Sequence, residues 1–396
     1  MLPYGRQTID EDDIAAVVRI LRSDFLTCGP EVAAFEQEFA ELVGAKHAVA
    51  VCNATAALHL AMVVAEIGPG DRVVTTPNTF VASANCAAFV GATPDFSDIR
   101  EDDYNLDPDA LEGGWRDDTK AVVAVAYAGQ SADMPRIASV ARERGAVVIE
   151  DACHGTGGGF CHEGTSWKLG GHPWADMTTF SFHPVKTMTT GEGGILVTDN
   201  DTFAERARQL RAHGIVRNRD AFRGFGDPGN DTLTEQGPWV YEMQELGYNY
   251  RITDLQCALG RTQLAKLPSF VERRREIVSL YNAAFQGIPW LRTPRLRNQS
   301  DHSEISWHLY TLLIDFAKLG TTRTEAMAAL REAGVGSQVL YIPVHLHPYY
   351  RETYGYAPGK CPVAEGVYEQ ALSIPLYPKL KQADLQHVIS TVKSLG

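Results

Sequence analysis

Short apolar segments alternate with helical patterns between about residue 47 and residue 198, and this alternation constrains the fold more strongly than any other feature of the sequence. The segment 121–126 (AVVAVA) is apolar at every position, as expected of a strand that is covered on both faces. Such alternation predicts a mostly parallel sheet wrapped by helices. The predicted strands span residues 47–52, 72–76, 94–96, 121–127, 146–151, 178–182 and 195–198, and helices are predicted between them, for instance at 56–65, 81–89 and 137–144.

The C-terminal part of the chain follows a different pattern. A polar, glycine-rich loop or lid is predicted at 216–237, before a long helical pattern at 253–285 that is interrupted at Pro268. We therefore predict an α/β protein with a large domain of residues 1–255, which includes an N-terminal arm, and a smaller α+β domain of residues 256–396, which includes the linker helix. In the smaller domain, strands are predicted at 308–314 and 338–342, and helices at 323–333, near 363–371 and near 383–395.

Charge and hydropathy exclude several classes of protein. The formal net charge is −13, whereas a protein that neutralises nucleic-acid phosphates carries a basic stripe. No apolar run approaches the roughly 18 residues of a membrane span, and residues 1–7 lack the hydrophobic region of a signal peptide. The seven cysteines, an odd number in mostly apolar surroundings, are interpreted as reduced core thiols. We expect a cytoplasmic protein with no nucleic-acid or membrane partner.

Polar residues near the ends of predicted strands have the types that pyridoxal phosphate chemistry requires. That chemistry needs a lysine that bonds to the cofactor and moves protons, a carboxylate for the pyridine nitrogen, donors for the phosphate and a flat group over the ring. Lys186 follows the strand that ends at Phe182, in the segment SFHPVK, and precedes the glycines that open the next strand. This position places its amine at the sheet edge where cofactors bind. The alternative is a solvated surface lysine.

The carboxylate candidate is Asp151, which ends the apolar strand AVVIED, where an unpaired charge would be costly. A pyridinium would compensate this charge, and the pairing would keep both groups ionised. The alternative is that Asp151 caps a following helix. Three residues further on, His154 could contact the phenolic oxygen of the cofactor, although a lone histidine is more often an ordinary polar residue.

The phosphate candidates lie in the segment that begins at Asn53, between a predicted strand and a helix. Free N–H groups at Ala54 and Thr55, together with the Thr55 hydroxyl, would bind a dianion, although a plain capped helix has the same pattern. Ser181 could add a second hydroxyl. Phe80 follows the next strand and could stack on the cofactor ring, although a lone aromatic is more often part of the core.

One cluster of residues has types that bind metals. Its spacing contains neither a Cys-x-x-Cys nor a His-x3-His pair, so we predict no metal site. The cluster consists of Cys153, His154, Cys161, His162 and His172.

Over essentially its whole length, the sequence resembles the DegT/DnrJ/EryC/StrS sugar aminotransferases, a family of fold-type I enzymes that depend on pyridoxal phosphate. The matching segments are 26–30 (LTCGP), 53–58 (NATAAL), 77–80 (PNTF), 150–154 (EDACH), 211–214 (RAHG) and 246–251 (LGYNYR). The segments 181–186 (SFHPVK), 189–194 (TTGEGG), 241–245 (YEMQE), 307–310 (WHLY) and 341–345 (YIPVH) are most similar to the pseudaminic acid branch, the UDP-4-amino-4,6-dideoxy-N-acetyl-β-L-altrosamine transaminases. Departures from the family pattern are Ala54 where glycine is frequent, Cys153 where serine or alanine is usual, and an insertion at 166–174.

The resemblance implies a role for each candidate near the cofactor. Lys186 would form the Schiff base with pyridoxal phosphate, and Asp151 would pair with the pyridine nitrogen. His154 would flank the phenolic oxygen and Phe80 would stack on the ring. The phosphate would be bound by Ala54, Thr55 and Ser181.

The resemblance also implies a second subunit and a sugar-nucleotide site. Asn249 would reach the phosphate of the neighbouring subunit's cofactor, so that a homodimer with shared active sites is the working unit. From the residues alone, Asn249 could instead cap the helix that begins near residue 253. The sugar-nucleotide site would be lined by Tyr4, Asp24, Phe25, Leu26, Thr27 and the stretch 338–341, which includes Gln338 and leads to Tyr341.

The implied reaction is transfer of an amino group from L-glutamate to C4 of a UDP-4-keto-6-deoxy-N-acetylhexosamine. Lys186 would move the proton between the cofactor and the sugar carbon. Another nucleotide-linked keto-sugar, or a regulator that merely retains the fold, is an alternative, and the presence of both Lys186 and Asp151 argues against the regulator. Enzymes of this family that deoxygenate sugars normally have histidine at the lysine position, so Lys186 argues against that reaction. A cysteine desulfurase needs a cysteine in a mobile loop, and we predict none there.

Overall fold

The computed structural model describes residues 1–224, 239–298 and 303–396. None of the helices in these ranges is long and apolar enough to cross a membrane. The helices are α1 (Glu11–Leu21), α2 (Pro30–Val43), α3 (Ala54–Val64), α4 (Ala82–Phe89), α5 (Pro108–Gly113), α6 (Met134–Arg142), α7 (Asp201–Leu210), α8 (Asp254–Phe285), α9 (Phe316–Leu319), α10 (Arg323–Glu332), α11 (Pro348–Tyr354), α12 (Pro362–Gln370) and α13 (Gln382–Lys393). The strands are β1 (His47–Val51), β2 (Arg72–Thr75), β3 (Thr93–Phe96), β4 (Thr119–Val125), β5 (Val147–Asp151), β6 (Gly159–His162), β7 (Thr165–Lys168), β8 (Met177–Ser181), β9 (Gly194–Thr198), β10 (Ile215–Val216), β11 (Glu242–Met243), β12 (Leu291–Arg292), β13 (Tyr310–Ile314) and β14 (Ala371–Ile374).

Seven strands form the large sheet, in the order β1-β9-β8-β5-β4-β2-β3. Neighbouring strands from β8 to β3 pair in parallel, whereas β9 is antiparallel to both β8 and β1. The direction reverses at β9 because the segment 182–193, which joins it to β8, contains no helix to carry the chain back along the sheet. The α/β fold with a mostly parallel sheet, which the sequence predicted, is confirmed.

The strands of this sheet are buried on both faces, which explains the continuous apolar run at 121–126. Val122 and Ala124 lie in one hydrophobic core, whereas Ala121 and Val123 lie in a second core on the opposite face. Successive side chains of a strand point to opposite faces, so a strand covered on both sides needs an apolar residue at every position.

Helix α8 connects the core of the large sheet to the core of the antiparallel sheet β12-β13-β14. Its first half contributes Cys257 and Leu264 to the former, and its second half contributes Ile277 and Tyr281 to the latter. The predicted interruption at Pro268 is wrong, because α8 runs through this residue. A proline removes one helical hydrogen bond, and here the packing on both sides of it keeps the helix continuous. The domain boundary after residue 255 stays a prediction.

The strand predicted at 338–342 is not formed. Within this segment only Gln338 pairs with a strand, through a single bridge to Ser373 of β14. The carbonyl of Leu340 instead accepts a hydrogen bond from the Tyr127 hydroxyl, at 2.6 Å. The place beside β13 is taken by β14, whose first residue, Ala371, is also the last residue of the helix predicted near 363–371. The prediction failed because the continuous apolar run 339–342 (VLYI) also suits an extended segment that bonds to a side chain instead of to a neighbouring strand.

The loop predicted at 216–237 is partly described. Val216 pairs with Glu242 in the ribbon of β10 and β11, and a short 3-10 helix spans Arg219–Ala221. Residues 225–237 lie outside the described residues.

Candidate active site

A cavity of about 500 Å³ lies at the carboxyl edge of the large sheet. Asp151 and Ser181 are the last residues of β5 and β8, and Phe80 follows β2, so residues from separate strands meet here. Tyr4 and Tyr341, both predicted for the sugar nucleotide, also line the cavity. The residues predicted for the cofactor that line it are Ala54, Thr55, Phe80, Asp151, His154, Ser181 and Lys186.

Asp151 is buried, and both of its carboxylate oxygens accept hydrogen bonds from within the chain. The Ser83 hydroxyl donates to Oδ2 at 2.6 Å, and the backbone N–H of Cys153 donates to Oδ1 at 3.2 Å. The next element of the chain is β6, so Asp151 does not cap a helix. A carboxylate has about four lone-pair positions, which leaves it able to accept a further donor from the cavity.

Lys186 lies in the segment 182–193, on a turn in which its backbone N–H donates to the His183 carbonyl at 2.9 Å. Burial lowers the pKa of the Lys186 amine below its ordinary value, and the nearby Cys153 and Asp151 act in the opposite direction. A lysine with a lowered pKa has a larger neutral fraction, which is the form that attacks a carbonyl carbon or accepts a proton. This is not the environment of a solvated surface lysine.

The first turn of α3 reaches the sheet edge next to Ser181. Asn53 caps this helix by accepting the N–H of Ala56 at 2.9 Å, and the N–H groups of the first helical residues have no partner within a helix. Ser181 pairs with Gly194 of β9, where an added Cβ would lie only 2.5 Å from the nitrogen of Ala54. A side chain at position 194 would therefore separate Ser181 from the first turn of α3. The corner that Ser181 and this first turn form fits a phosphate group.

His154 is held in one orientation by hydrogen bonds to both ring nitrogens. Burial, with the Lys186 charge acting in the same direction, lowers the pKa of His154 well below its ordinary value, so the ring is neutral. The N–H of Ala128 donates to Nδ1 at 3.2 Å, which leaves the proton on Nε2. Nε2 lies 3.0 Å from the Tyr341 hydroxyl oxygen and donates to it.

Several residues at the site were not predicted from the sequence, among them Ser83 and His308 in the cavity lining and Arg274 beside it. Ser83 holds Asp151, and His308 lines the cavity with its ring centroid 4.5 Å from that of His154. Burial lowers the pKa of His308 well below its ordinary value. The buried Arg274 donates to the carbonyl of His308 at 3.3 Å. Of these residues, only His308 could have been suggested by the sequence, because it is a polar residue at the start of an apolar segment.

Other predicted residues do not line the cavity of this chain. Asn249 is exposed and does not cap α8, because the cap is Thr253 with its reciprocal partner Gln256. Gln338 is exposed and its side chain accepts the N–H of Val339. The exposed residues Asp24, Phe25, Leu26 and Thr27 also lie away from the cavity lining.

His172, from the cluster of metal-ligand types, is engaged in a different interaction. Its Nε2 lies 3.1 Å from a carboxylate oxygen of Glu150, which also accepts from the Thr178 hydroxyl. Within the ranges 1–224, 239–298 and 303–396, no group of three or more His, Cys, Asp or Glu residues is arranged to hold a metal ion. The contact between His172 and Glu150 connects the segment after β7 to β5, the strand that ends at Asp151.

A desolvated lysine, a buried carboxylate and a corner that fits a phosphate, all at the carboxyl edge of a mostly parallel sheet, define an enzyme dependent on pyridoxal phosphate. The profile of the DegT/DnrJ/EryC1/StrS aminotransferase family matches residues 7–393. The chain belongs to this family and is a pyridoxal-phosphate-dependent sugar aminotransferase, as the sequence predicted.

Individual relatives agree with this assignment. The spore coat polysaccharide biosynthesis protein SpsC of Bacillus subtilis (strain 168) is 42% identical over 398 residues, which cover 100% of this chain and 97% of SpsC. PseC of Helicobacter pylori, an aminotransferase involved in the biosynthesis of pseudaminic acid, is similar with a TM-score of 0.85 and 29% identity over 100% of this chain and 98% of PseC. The putative sugar aminotransferase Spr1654 of Streptococcus pneumoniae, in its PMP form, has a TM-score of 0.88 and 28% identity over 100% of this chain and 99% of its own.

Proposed function

We propose that this enzyme transfers an amino group from L-glutamate to C4 of a UDP-4-keto-6-deoxy-N-acetylhexosamine. The reaction would take place in the cytoplasm and serve the biosynthesis of pseudaminic acid or a related nonulosonic acid or surface glycan. The observation that carries the proposal is that Lys186 and Asp151 line one cavity beside the first turn of α3. The segments SFHPVK and TTGEGG, and the likeness to PseC and SpsC, support the choice of a sugar acceptor.

Pyridoxal phosphate, when bound, supplies an electron sink for the carbon that loses or gains a proton. Lys186 accepts the proton from the donor carbon and later delivers one to C4 of the sugar. Its lowered pKa suits both steps, because the amine exchanges protons without being trapped in the charged form.

The other residues bind and orient. Asp151 would hold the proton on the ring nitrogen of the cofactor, and Ala54, Thr55 and Ser181 would bind its phosphate. Phe80, which lines the cavity and is 57% exposed, would cover the ring. His154, whose two ring nitrogens are bonded to Ala128 and Tyr341, would flank the phenolic oxygen, and Tyr4 and Tyr341 would contact the sugar nucleotide.

A panel of acceptors tests the substrate. We expect the highest kcat/KM with a UDP-linked 4-keto-6-deoxy-N-acetylhexosamine and L-glutamate, because the likeness to PseC and the segments SFHPVK and TTGEGG favour this acceptor. Formation of the 4-amino sugar is measured by mass spectrometry for UDP- and dTDP-linked ketones that differ in configuration. Transfer only to sugars without an acetamido group would contradict this substrate and leave the family assignment intact.

We further propose that the active site is shared between two subunits of a homodimer. Asn249 would bind the phosphate of the neighbouring subunit's cofactor. In this chain Asn249 is exposed and lies between Tyr248 and Tyr250, whose rings stack at 4.9 Å. Large amphipathic rings of this kind are favoured at interfaces. The exposed side chains of Phe25 and Leu26 would also lie at the subunit boundary.

Mixed dimers test the shared site. A Lys186→Ala protomer and an Asn249→Ala protomer are each expected to be inactive as homodimers. Co-refolded heterodimers regain one intact site, because Lys186 of one protomer and Asn249 of the other then meet. Activity is measured on heterodimers purified by two different affinity tags. If these heterodimers are as inactive as either parent, each site is built within one subunit.

A further inference from the structure

We propose that Ser83, itself oriented by Thr79, is the positioning residue that aims the Asp151 carboxylate at the pyridine nitrogen. The proposal rests on the role of Asp151 proposed above. The two links are the contact between the Thr79 and Ser83 hydroxyl oxygens, at 2.7 Å, and the contact from Ser83 to Oδ2 of Asp151, at 2.6 Å. All three side chains are buried.

The direction of each hydrogen bond follows from the chemistry of Asp151. An ionised carboxylate only accepts hydrogen bonds, so the single hydroxyl proton of Ser83 goes to Asp151. Ser83 then has only lone pairs to offer Thr79, and Thr79 must be the donor of that pair. The donors therefore follow one another from Thr79 through Ser83 to Asp151, and the 2.6 Å distance from Ser83 to Asp151 is that of a hydrogen bond to a charged acceptor.

This arrangement fixes the plane of the carboxylate. Oδ2 is held by Ser83, and Oδ1 is held at 3.2 Å by the backbone N–H of Cys153. Neither donor carries a charge, so the negative charge of Asp151 stays available for a cationic group in the cavity. A rigid carboxylate with unused lone pairs is suited to a protonated ring nitrogen, because little orientational freedom is lost on binding.

The same segment also places the residue that covers the ring. Thr79 and Ser83 flank Phe80 in the segment between β2 and the first turn of α4. Because Asp151 anchors Ser83, the position of Phe80 over the cavity is coupled to the position of the carboxylate at the end of β5. The hydrogen bonds among Thr79, Ser83 and Asp151 therefore determine the position of both the carboxylate and the Phe80 ring.

Cofactor affinity is the first test. Ser83→Ala is expected to weaken binding of pyridoxal phosphate about 10- to 100-fold, as for the loss of a hydrogen bond to a charged group. Ser83→Thr keeps the hydroxyl and should restore most of the affinity, and Thr79→Val should have a smaller effect. Binding is measured by equilibrium dialysis, with the melting temperature of the apoenzyme as a check of folding. Ser139→Ala removes an exposed serine hydroxyl that also bonds to a carboxylate and serves as the control.

A double-mutant cycle separates positioning from general packing. If Ser83 acts through Asp151, Ser83→Ala should have little further effect on affinity in an Asp151→Ala background, where no carboxylate is left to position. The same loss in both backgrounds, or wild-type affinity in Ser83→Ala, would overturn the proposal for Ser83 alone. Wild-type affinity and turnover in Asp151→Asn itself would instead overturn the role of Asp151, and the proposal for Ser83 would fall with it.

Discussion

Replacement of Lys186 by alanine is expected to abolish both turnover and covalent trapping of the cofactor by borohydride. The amine of Lys186 is desolvated, and its lowered pKa favours the neutral form that bonds to pyridoxal phosphate and moves the proton. Without it, turnover should fall on the order of 10⁴-fold or more. The wild-type protein should be yellow, with a visible band that bleaches when L-glutamate is added, and the variant should lack that response.

A surface lysine provides the matched control. Lys46 is exposed, does not line the cavity and pairs with Asp201, and such a surface pair contributes at most about 1 kcal/mol. Lys46→Ala should therefore keep the band, the trapped adduct and the rate. A Lys186→Ala protein that still forms a borohydride-stable adduct would show that another residue bonds to the cofactor.

Replacement of Asp151 by asparagine is expected to leave the fold intact and to reduce turnover on the order of 10³-fold or more. Asparagine has nearly the same shape and keeps an oxygen that accepts the Ser83 hydroxyl, but it carries no charge to hold a proton on the ring nitrogen. A neutral ring withdraws electrons weakly, so the substrate carbon releases its proton slowly. Steady-state rates and the melting temperature measure the two effects separately.

Asp176→Asn is the control for this substitution. Asp176 lies directly before β8, at the opposite edge of the same sheet, where it accepts the N–H of Val148 at 2.7 Å. Its replacement should affect stability and leave the chemistry unchanged. If Asp151→Asn turns over at nearly the wild-type rate, Asp151 serves the local structure and not the cofactor.

Many residues that line the cavity could be predicted from the sequence because they follow strands of a parallel sheet. Asp151, Ser181 and Phe80 each lie at or just after the carboxyl end of a strand, and in a parallel sheet these ends meet at one edge. Lys186 could be placed there for the same reason, since it follows β8 by only a few residues. The apolar pattern of each strand and the common direction of the strands were sufficient to place these residues at one edge of the sheet.

Contacts between distant segments could not be predicted in this way. Ser83 and Asp151 are 68 residues apart, and His308, which lies shortly before β13, approaches His154 from a still more distant part of the chain. Nothing in the residues near Ser83 distinguishes a hydroxyl that bonds to a buried carboxylate of another segment from one that faces an ordinary helix. Their proximity depends on how α4 and the segment before β13 pack against the sheet.

The sequence by itself determined the mostly parallel sheet, the order of its strands along the chain and the residue types at its carboxyl edge. These features follow from apolar periodicity and from turn and strand ends, which act over a few residues. Tertiary structure alone decided that α8 continues through Pro268 and that β14, not the segment 338–342, pairs with β13. It also decided which donors hold Asp151, because packing and hydrogen bonding between distant segments override local preference.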